Sequence, residues 1–380
     1  MNQTQQFLGY LDITTPILGY ESLAEPSITE CTFIASYNWH DCPRPTILVP
    51  GAPPRWLPPA TFQRLREDRG DYYRDPNAAR YPRWPLGPAV QSIYTLRPDF
   101  RTDEVDIFCC ASIIGSLLAV VRGENKTFQF GIQKIGNTVL LVRESDDPQE
   151  LIRNVRGYGH TFPEAYTVWP ASVKGSASHQ RIVKYRFGEL RCLVRSECDG
   201  YLAEHVPDHV NKALDRLEPN GVGLEDQVGF VKVAETRSDF HATADLEVRK
   251  AGYMIPQRSV FDLKTRSALS AKTLDSENFL ARLWANQTSN FVLARHRRGV
   301  FSAIEIVEVR DRVKAWEKDN HITLKQLHTL LKDLSAINDG RSMSRLEIRR
   351  RECGKLEVWS SKPDWFALPP ELQKQWSGGK

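Results

Sequence analysis

The sequence predicts an α+β fold, a mixed central β-sheet flanked by helices, in a single domain spanning residues 1–380. Three observations carry this reading. Turn signals at Gly136-Asn137 and near Gly188-Glu189 sit between runs of apolar and β-branched residues and read as hairpins. Apolar residues at helical spacing fall at 104–121 and 275–296. Two further strands, SVFDLKTRS (259–267) and VFSAIEIVEV (300–309), flank the second of these helices.

Taken in order, residues 1–103 form a loop-rich N-terminal part. IASYNW (34–39) and TILVPG (46–51) are strand-like, and five prolines between Pro50 and Pro59 enforce an extended loop. Residues 66–90 are polar and read as a long ordered loop. The core, 104–310, opens with a largely buried helix over 104–121 and continues with the hairpin TFQFGIQKI/TVLLVRES. Helical stretches follow at 148–169, then the hairpin RIVKYRFGELRCLVRSECDGYL, a helix at 205–217 and strands at 227–233 and 245–250. The amphipathic helix 275–296 takes Ser276 as its N-cap. Residues 311–380 add two helices and a hairpin around Gly354.

With 51 basic and 47 acidic residues the formal net charge is only +4, so any nucleic-acid partner must be held by a local basic surface. Seven cysteines form no CxxC pair and no zinc-type spacing, and Cys109-Cys110 sit in an apolar run as packed residues. A reducing compartment fits. MNQTQQFLGYLD lacks the basic and apolar regions of a secretory signal, and no apolar run reaches the ~20 residues of a membrane span. The expectation is a soluble intracellular protein.

Four segments carry chemistry: GHTFPEAY (159–166), SECDGY (196–201), FDLKT (261–265) and LWANQ (283–287). Side chains two apart on a strand share a face, so Glu197 and Asp199 project together, as do Asp262 and Lys264. If the strands are neighbours, three carboxylates and an ammonium meet. That is what hydrolysis of a phosphodiester needs: oxygen ligands for Mg²⁺ or Mn²⁺, and a group that positions water or a phosphate oxygen. Either pair alone is commonly just a solvated strand face. The ordered combination, acid-x-Asp-Gly-aromatic and then two apolar residues before Asp-Leu-Lys-Thr, is much less common by chance. Glu164, near a helix start, is a further candidate ligand.

ECDGY followed by VFDLKT resembles the PD-(D/E)xK nuclease superfamily. Together the four segments resemble, over residues 104–310, the decapping exoribonuclease (DXO) family with its yeast nuclear relatives. Gly159, His160, Phe162 and Glu164 match the family's first element, with Pro163 as an extra residue; Glu197 and Asp199 match the second. Asp262, Leu263 and Lys264 match the third with Asp for Glu, and Trp284 and Gln287 the fourth with one extra residue between them. The resemblance implies a PD-(D/E)xK core in which Glu164, Glu197, Asp199 and Asp262 bind Mg²⁺ or Mn²⁺, with the Leu263 carbonyl as an added ligand. Lys264 and Gln287 would contact the nucleophile or the substrate phosphate. It further implies removal of aberrant 5′ ends, capped or phosphorylated, from RNA, with 5′→3′ degradation, a nuclear or nucleocytoplasmic setting, and a 5′→3′ exoribonuclease as partner.

Three departures stand out. Ala111 and Ser112 occupy the places of the family's RNA-contacting Arg-Gly, with Arg122 as a candidate replacement. Residues 202–258 make a long connection between the two acidic strands, and Asp262 is one methylene shorter than Glu. Two alternatives follow: a DNA nuclease of the RecB or repair type, and a catalytically weakened RNA- or protein-binding member.

The remaining segments have plainer readings. DDPQE (146–150), which superficially resembles a diphosphate-binding motif, is a turn broken by Pro148; KGSASHQR (174–181) is a solvated loop before a strand. RHRRG (295–299) and RSMSRLEIRRR (341–351) are basic tracts that can follow a nucleic-acid backbone or simply face solvent. His160 is a candidate base or a satisfied cleft histidine, and Trp56, Tyr72, Tyr73 and Trp84 are stacking platforms or anchors for long loops.

Overall fold

A computed structural model describes residues 5–11, 26–61, 63–144, 147–208, 210, 245–271, 273, 277–337, 344–351 and 355–378. The strand expected at 227–233, most of the helix expected at 205–217, Ser276 and Gly354 lie outside these residues.

The N-terminal part supplies β1 (Phe7–Leu11), β2 (Ile28–His40), β3 (Thr46–Gly51), β4 (Arg55–Trp56) and β5 (Tyr72–Tyr73), then helices α1 (Pro76–Arg80) and α2 (Gly87–Leu96). The core contains β6 (Ile107–Cys110), α3 (Ala111–Val121), β7 (Phe128–Ile135), β8 (Thr138–Arg143), β9 (Leu151–Ile152), α4 (Thr161–Tyr166), β10 (Thr167–Val168), β11 (Ser176–Phe187), β12 (Leu190–Cys198) and β13 (Gly200–Tyr201). It continues with β14 (Glu247–Gly252), β15 (Val260–Ser267), α5 (Glu277–Asn286), β16 (Asn290–Arg297) and β17 (Val300–Glu308). The C-terminal part adds α6 (Arg310–Asp319), α7 (His321–Ala336), β18 (Arg345–Arg350), β19 (Leu356–Ser360) and α8 (Pro370–Trp376).

The α+β class holds, but the strands divide between two main sheets. Eleven run in the order β1-β19-β18-β7-β8-β6-β12-β11-β2-β3-β14, and six in the order β10-β4-β13-β15-β16-β17. Both hairpins form as the sequence indicates, β7 with β8 and β11 with β12. Gly136 turns the first at φ +59°, a conformation that suits glycine.

Four expectations are corrected. Residues 104–121 are not one helix: Ile107–Cys110 form a strand with every residue buried, paired in parallel with both β8 and β12. A continuously apolar central strand has no alternation to betray it, so it ran into α3 in the sequence pattern. Likewise 275–296 is a helix only to Asn286; Gln287 reverses the chain at φ +52° and Asn290–Arg297 become a strand between β15 and β17. The stretch 66–90 is not simply loop, because Asp75 accepts the Asn77 and Ala78 N–H groups at 3.1 Å each and caps α1. Residues 148–169 hold the single short helix α4, with β9 and β10.

Helices cover the large sheet on both faces. Leu117 and Val120 of α3, Trp284 of α5 and Leu327 and Leu331 of α7 pack with Ile107, Cys109, Ile132 and Val194 on one side. Val90 and Ile93 of α2 and Trp376 of α8 pack with Trp39, Phe108 and Leu140 on the other. Cys109 and Cys110 are packed, as expected. No helix among the described residues is long and apolar enough to cross a membrane.

Candidate active site

The two sheets meet where one chain segment passes between them. β12 ends at Cys198 in the large sheet, Asp199 lies at the crossing, and Gly200 enters the small sheet opposite Phe261 of β15. Glycine is required there: a Cβ would lie 2.3 Å from the Phe261 ring and 2.8 Å from the Pro54 carbonyl. The crossing is locked when Asp199 Oδ2 accepts the Leu263 backbone N–H at 2.6 Å. Alternation on β15 then decides the faces. Phe261 and Leu263 turn toward Phe162 and Tyr166 of α4, so Asp262 and Lys264 turn to the opposite side, where Asp199 and Glu197 lie.

Of the residues singled out in the sequence, the structure therefore brings together Glu197, Asp199, Asp262 and Lys264. A fifth member was missed: Arg282 of α5 places its Nε 2.6 Å from Asp262 Oδ2 and an Nη 3.9 Å from Asp199 Oδ2. Burial raises the Asp262 carboxyl above the usual range, opposed by the Arg282 charge. Glu197 is raised as well, first by the protein around it and then by the Asp199 charge, with Arg282 and Lys264 pulling the other way. Its side chain is open to water in the cleft.

Glu164 is exposed on α4, whose Phe162 and Tyr166 pack on the other face of β15, and its charge bears on Tyr72. It is not among the main charges acting on Glu197 or Asp262. His160 stacks on Tyr72 with ring centroids 3.7 Å apart, and buried Asp68 accepts the His160 and Thr161 N–H groups at the start of α4. Gln287 is also displaced: its side-chain Nε2 donates to the Trp284 carbonyl at 2.6 Å and helps to close α5. Asn286, one residue earlier and four after Arg282 on the same helical face, lines the cleft instead. The extra residue between Trp284 and Gln287 was the signal that the neighbouring amide faces the cleft.

The cleft is a cavity of about 660 Å³ between α1, α3, β11, β12 and α5. Glu197, Gln180 and Asn286 sit with Arg74, Arg122, Arg143, Arg195 and Arg282 around it. Gln180 faces Glu197 across the β11–β12 pair, and its Nε2 is buried without a partner, as is the Asn286 Oδ1. Arg122 lines the cleft, braced over the Trp316 ring at 5.5 Å and bonded to Asn320 at 3.2 Å. Trp56 packs among Phe162, Tyr166 and Phe261, and Trp84 against Tyr81, as loop anchors do.

As they stand, the carboxylates do not surround a common point: among the described residues no three His, Cys, Asp or Glu groups are spaced to hold a metal ion. Arg282 holds the gap between Asp199 and Asp262. The donors still suit a hard cation. They are carboxylate oxygens, and Asp262 Oδ1 is buried with no hydrogen-bond partner.

The fold is that of the Rai1 and Dxo1 proteins, the fold expected from the decapping-exoribonuclease resemblance. It superposes on Candida albicans Rai1 in complex with pU5 and Mn²⁺ at TM-score 0.60 and 10% identity, covering 100% of both chains. Scheffersomyces stipitis Rai1 in complex with (3′-NADP)⁺ and calcium ion gives TM-score 0.58 at 9% identity, again over 100% of both chains. K. lactis Dxo1 in complex with manganese gives 0.51 at 8%, covering 96% of this chain and 98% of that one. No curated protein sequence matches the chain. The chain belongs to the family described as Domain of unknown function (DUF8563), which it matches over residues 14–376.

Proposed function

We propose that this protein is a metal-dependent hydrolase of RNA 5′ ends, acting on a phosphodiester or cap pyrophosphate linkage. The observation that carries the reading is the meeting of Glu197, Asp199, Asp262 and Lys264 at the sheet crossing, beside an arginine-lined cleft, in a fold shared with Rai1 and Dxo1. The cofactor is Mg²⁺ or Mn²⁺, consistent with the manganese and calcium in the neighbouring structures.

Glu197, Asp199 and Asp262 are the residues that would hold the ion, with the Leu263 carbonyl as a further proposed ligand; Glu164, turned to solvent on α4, stands outside this set. When bound, it would supply charge neutralisation at the phosphate and a lowered pKa for attacking water. Lys264 holds a phosphate oxygen or orients the water. Arg282, freed from Asp262, turns its guanidinium to the substrate phosphate. Asn286 and Gln180 offer one acceptor and one donor amide to the reacting group. Gln287 keeps a supporting role at the helix end. The finer assignments, a nuclear or nucleocytoplasmic location and a 5′→3′ exoribonuclease partner, rest on the family resemblance alone.

The purified full chain, given 5′-phosphorylated and capped RNA with Mn²⁺, should release product, and Asp199→Ala or Asp262→Ala should abolish release. Hydrolysis that survives both substitutions rules the proposal out. A second reading, an RNA-binding member with weakened chemistry, draws support from the Arg282 contacts to Asp199 and Asp262. It predicts RNA binding in Mn²⁺ without turnover.

A further inference from the structure

Arg181 of β11 is a buried charge outside the cleft, only 2% exposed. Strand alternation puts it on the face of β11 opposite to Gln180, in a row with Val183 and Tyr185. Those two belong to the core layer under α3, α5 and α7. An apolar side chain would pack there at lower cost, because a guanidinium taken out of water must have its donors met.

The donors are met by the segment that leads into β15. Arg181 Nε donates to Gln257 Oε1 at 3.0 Å and Nη2 to the Ile255 carbonyl at 2.9 Å, while the guanidinium lies over the Phe33 ring at 4.6 Å. Nη1 is left without a partner. Gln257 carries the link onward: its Nε2 donates to the Gln287 main-chain carbonyl at 3.0 Å, where α5 ends and the chain turns at φ +52°. Tyr185, from the same row as Arg181, donates to the Ala285 carbonyl at 3.3 Å. Asn290, at the start of β16, donates to the Arg258 and Val260 carbonyls at 2.8 and 3.0 Å. The last turn of α5 and the entry to β15 are thus tied to one strand of the large sheet.

Both tied elements carry the site. Arg282 and Asn286 stand on α5, and Asp262 and Lys264 on β15. In the structure the two also meet through the Arg282–Asp262 ion pair. That pair must open when a cation takes the Asp262 carboxylate, and the bonds from β11 then remain to hold the helix against the strand.

We infer that Arg181 is a positioning residue for hydrolysis: through Gln257 it keeps the end of α5 in register with β15, so that Asn286 and Arg282 stay aligned with Asp262 and Lys264 after the ion pair has opened. The inference rests on the function proposed above. Arginine suits the task because its planar fork makes two bonds at a fixed angle, which a lysine ammonium does not.

The test is steady-state turnover of a 5′-phosphorylated oligouridylate in Mn²⁺ by the full chain, by Arg181→Met, by Gln257→Ala and by the double variant, with melting temperatures measured alongside. Arg74, Arg122, Arg143 and Arg195 line the cleft from other elements, so KM should stay close to that of the wild type. The value of kcat should fall about tenfold to a hundredfold in each single variant, the effect of misplacing a reacting group by about 1 Å. The double variant should be no slower than the slower single one, because the same chain of bonds has been cut twice. Gln257 is half-buried, so its variant carries the test if Arg181→Met fails to fold. A lowered melting temperature with kcat unchanged in the folded variants would overturn the inference and leave Arg181 a role in stability alone. Losses in kcat that multiply in the double variant would overturn it too, since the two residues would then act separately. A wild type without turnover sinks the proposed function and this inference together; an active wild type with unaffected variants sinks only the inference.

Discussion

Asp199 and Leu263 join the two sheets: the aspartate carboxylate accepts the Leu263 backbone N–H at 2.6 Å across the crossing between β12 and β15. One side chain thus ties the crossing to the backbone next to Asp262. Asp199→Ala should abolish hydrolysis and also cost about 1.5–3 kcal/mol of stability, the scale of a hydrogen bond to a charged group. Denaturant unfolding alongside turnover checks this. Full stability with lost activity would reduce Asp199 to a chemical role alone.

Gly200→Ala separates architecture from chemistry. The added methyl would meet the Phe261 ring and the Pro54 carbonyl, at 2.3 and 2.8 Å. Overpacking should cost about 1–3 kcal/mol, and activity should fall although no acidic or basic group has changed. A variant with wild-type melting behaviour would mean that the crossing is looser than described.

Arg282 stands where a divalent cation would compete with it. Arg282→Ala leaves buried Asp262 without its ion pair, so the variant should be less stable without metal. Mn²⁺ should then raise its melting temperature by more than it raises that of the wild type. Equal shifts in the two proteins would show that the guanidinium and the metal do not share the site.

The pH dependence has a definite sign. Glu197 and Asp262 are both raised above the usual carboxylate range. The folded state therefore binds more protons than the unfolded one between the ordinary and the raised values, and stability contributed by these groups falls as pH rises through that window. Metal requires the deprotonated forms, so Mn²⁺ affinity should climb across the same window. Calorimetric titrations at a series of pH values check this; affinity flat with pH would mean that neither group binds the ion.

Asn286 and Gln287 test the corrected end of α5. Asn286→Ala should lower turnover about tenfold, the effect of roughly 1.4 kcal/mol in the transition state. Gln287→Ala should leave turnover close to wild type, because that side chain is spent on the Trp284 carbonyl. The reverse pattern would restore Gln287 to the site.

Strand period made the acidic pairs legible: Glu197/Asp199 and Asp262/Lys264 share faces because residues two apart must. The two hairpins were legible through Gly136 and Gly188. What stayed hidden was non-local. Ile107–Cys110 became a strand only because β8 and β12 flank it, and nothing in an apolar run encodes those neighbours. Arg282 joins the site only through the fold, where α5 brings its guanidinium against Asp262. Glu164 sits in the right motif, but α4 packs through Phe162 and Tyr166 and turns it to solvent. Arg350 was one of a basic tract, and its buried register appears only once β18 pairs with β7.

The central claim is tested most directly by anomalous diffraction from crystals soaked in Mn²⁺. The account predicts a peak bonded to oxygens of Glu197, Asp199 and Asp262, with the Arg282 guanidinium withdrawn from Asp262. Saturating Mn²⁺ that leaves no peak there, with Arg282 still paired to Asp262, would contradict it.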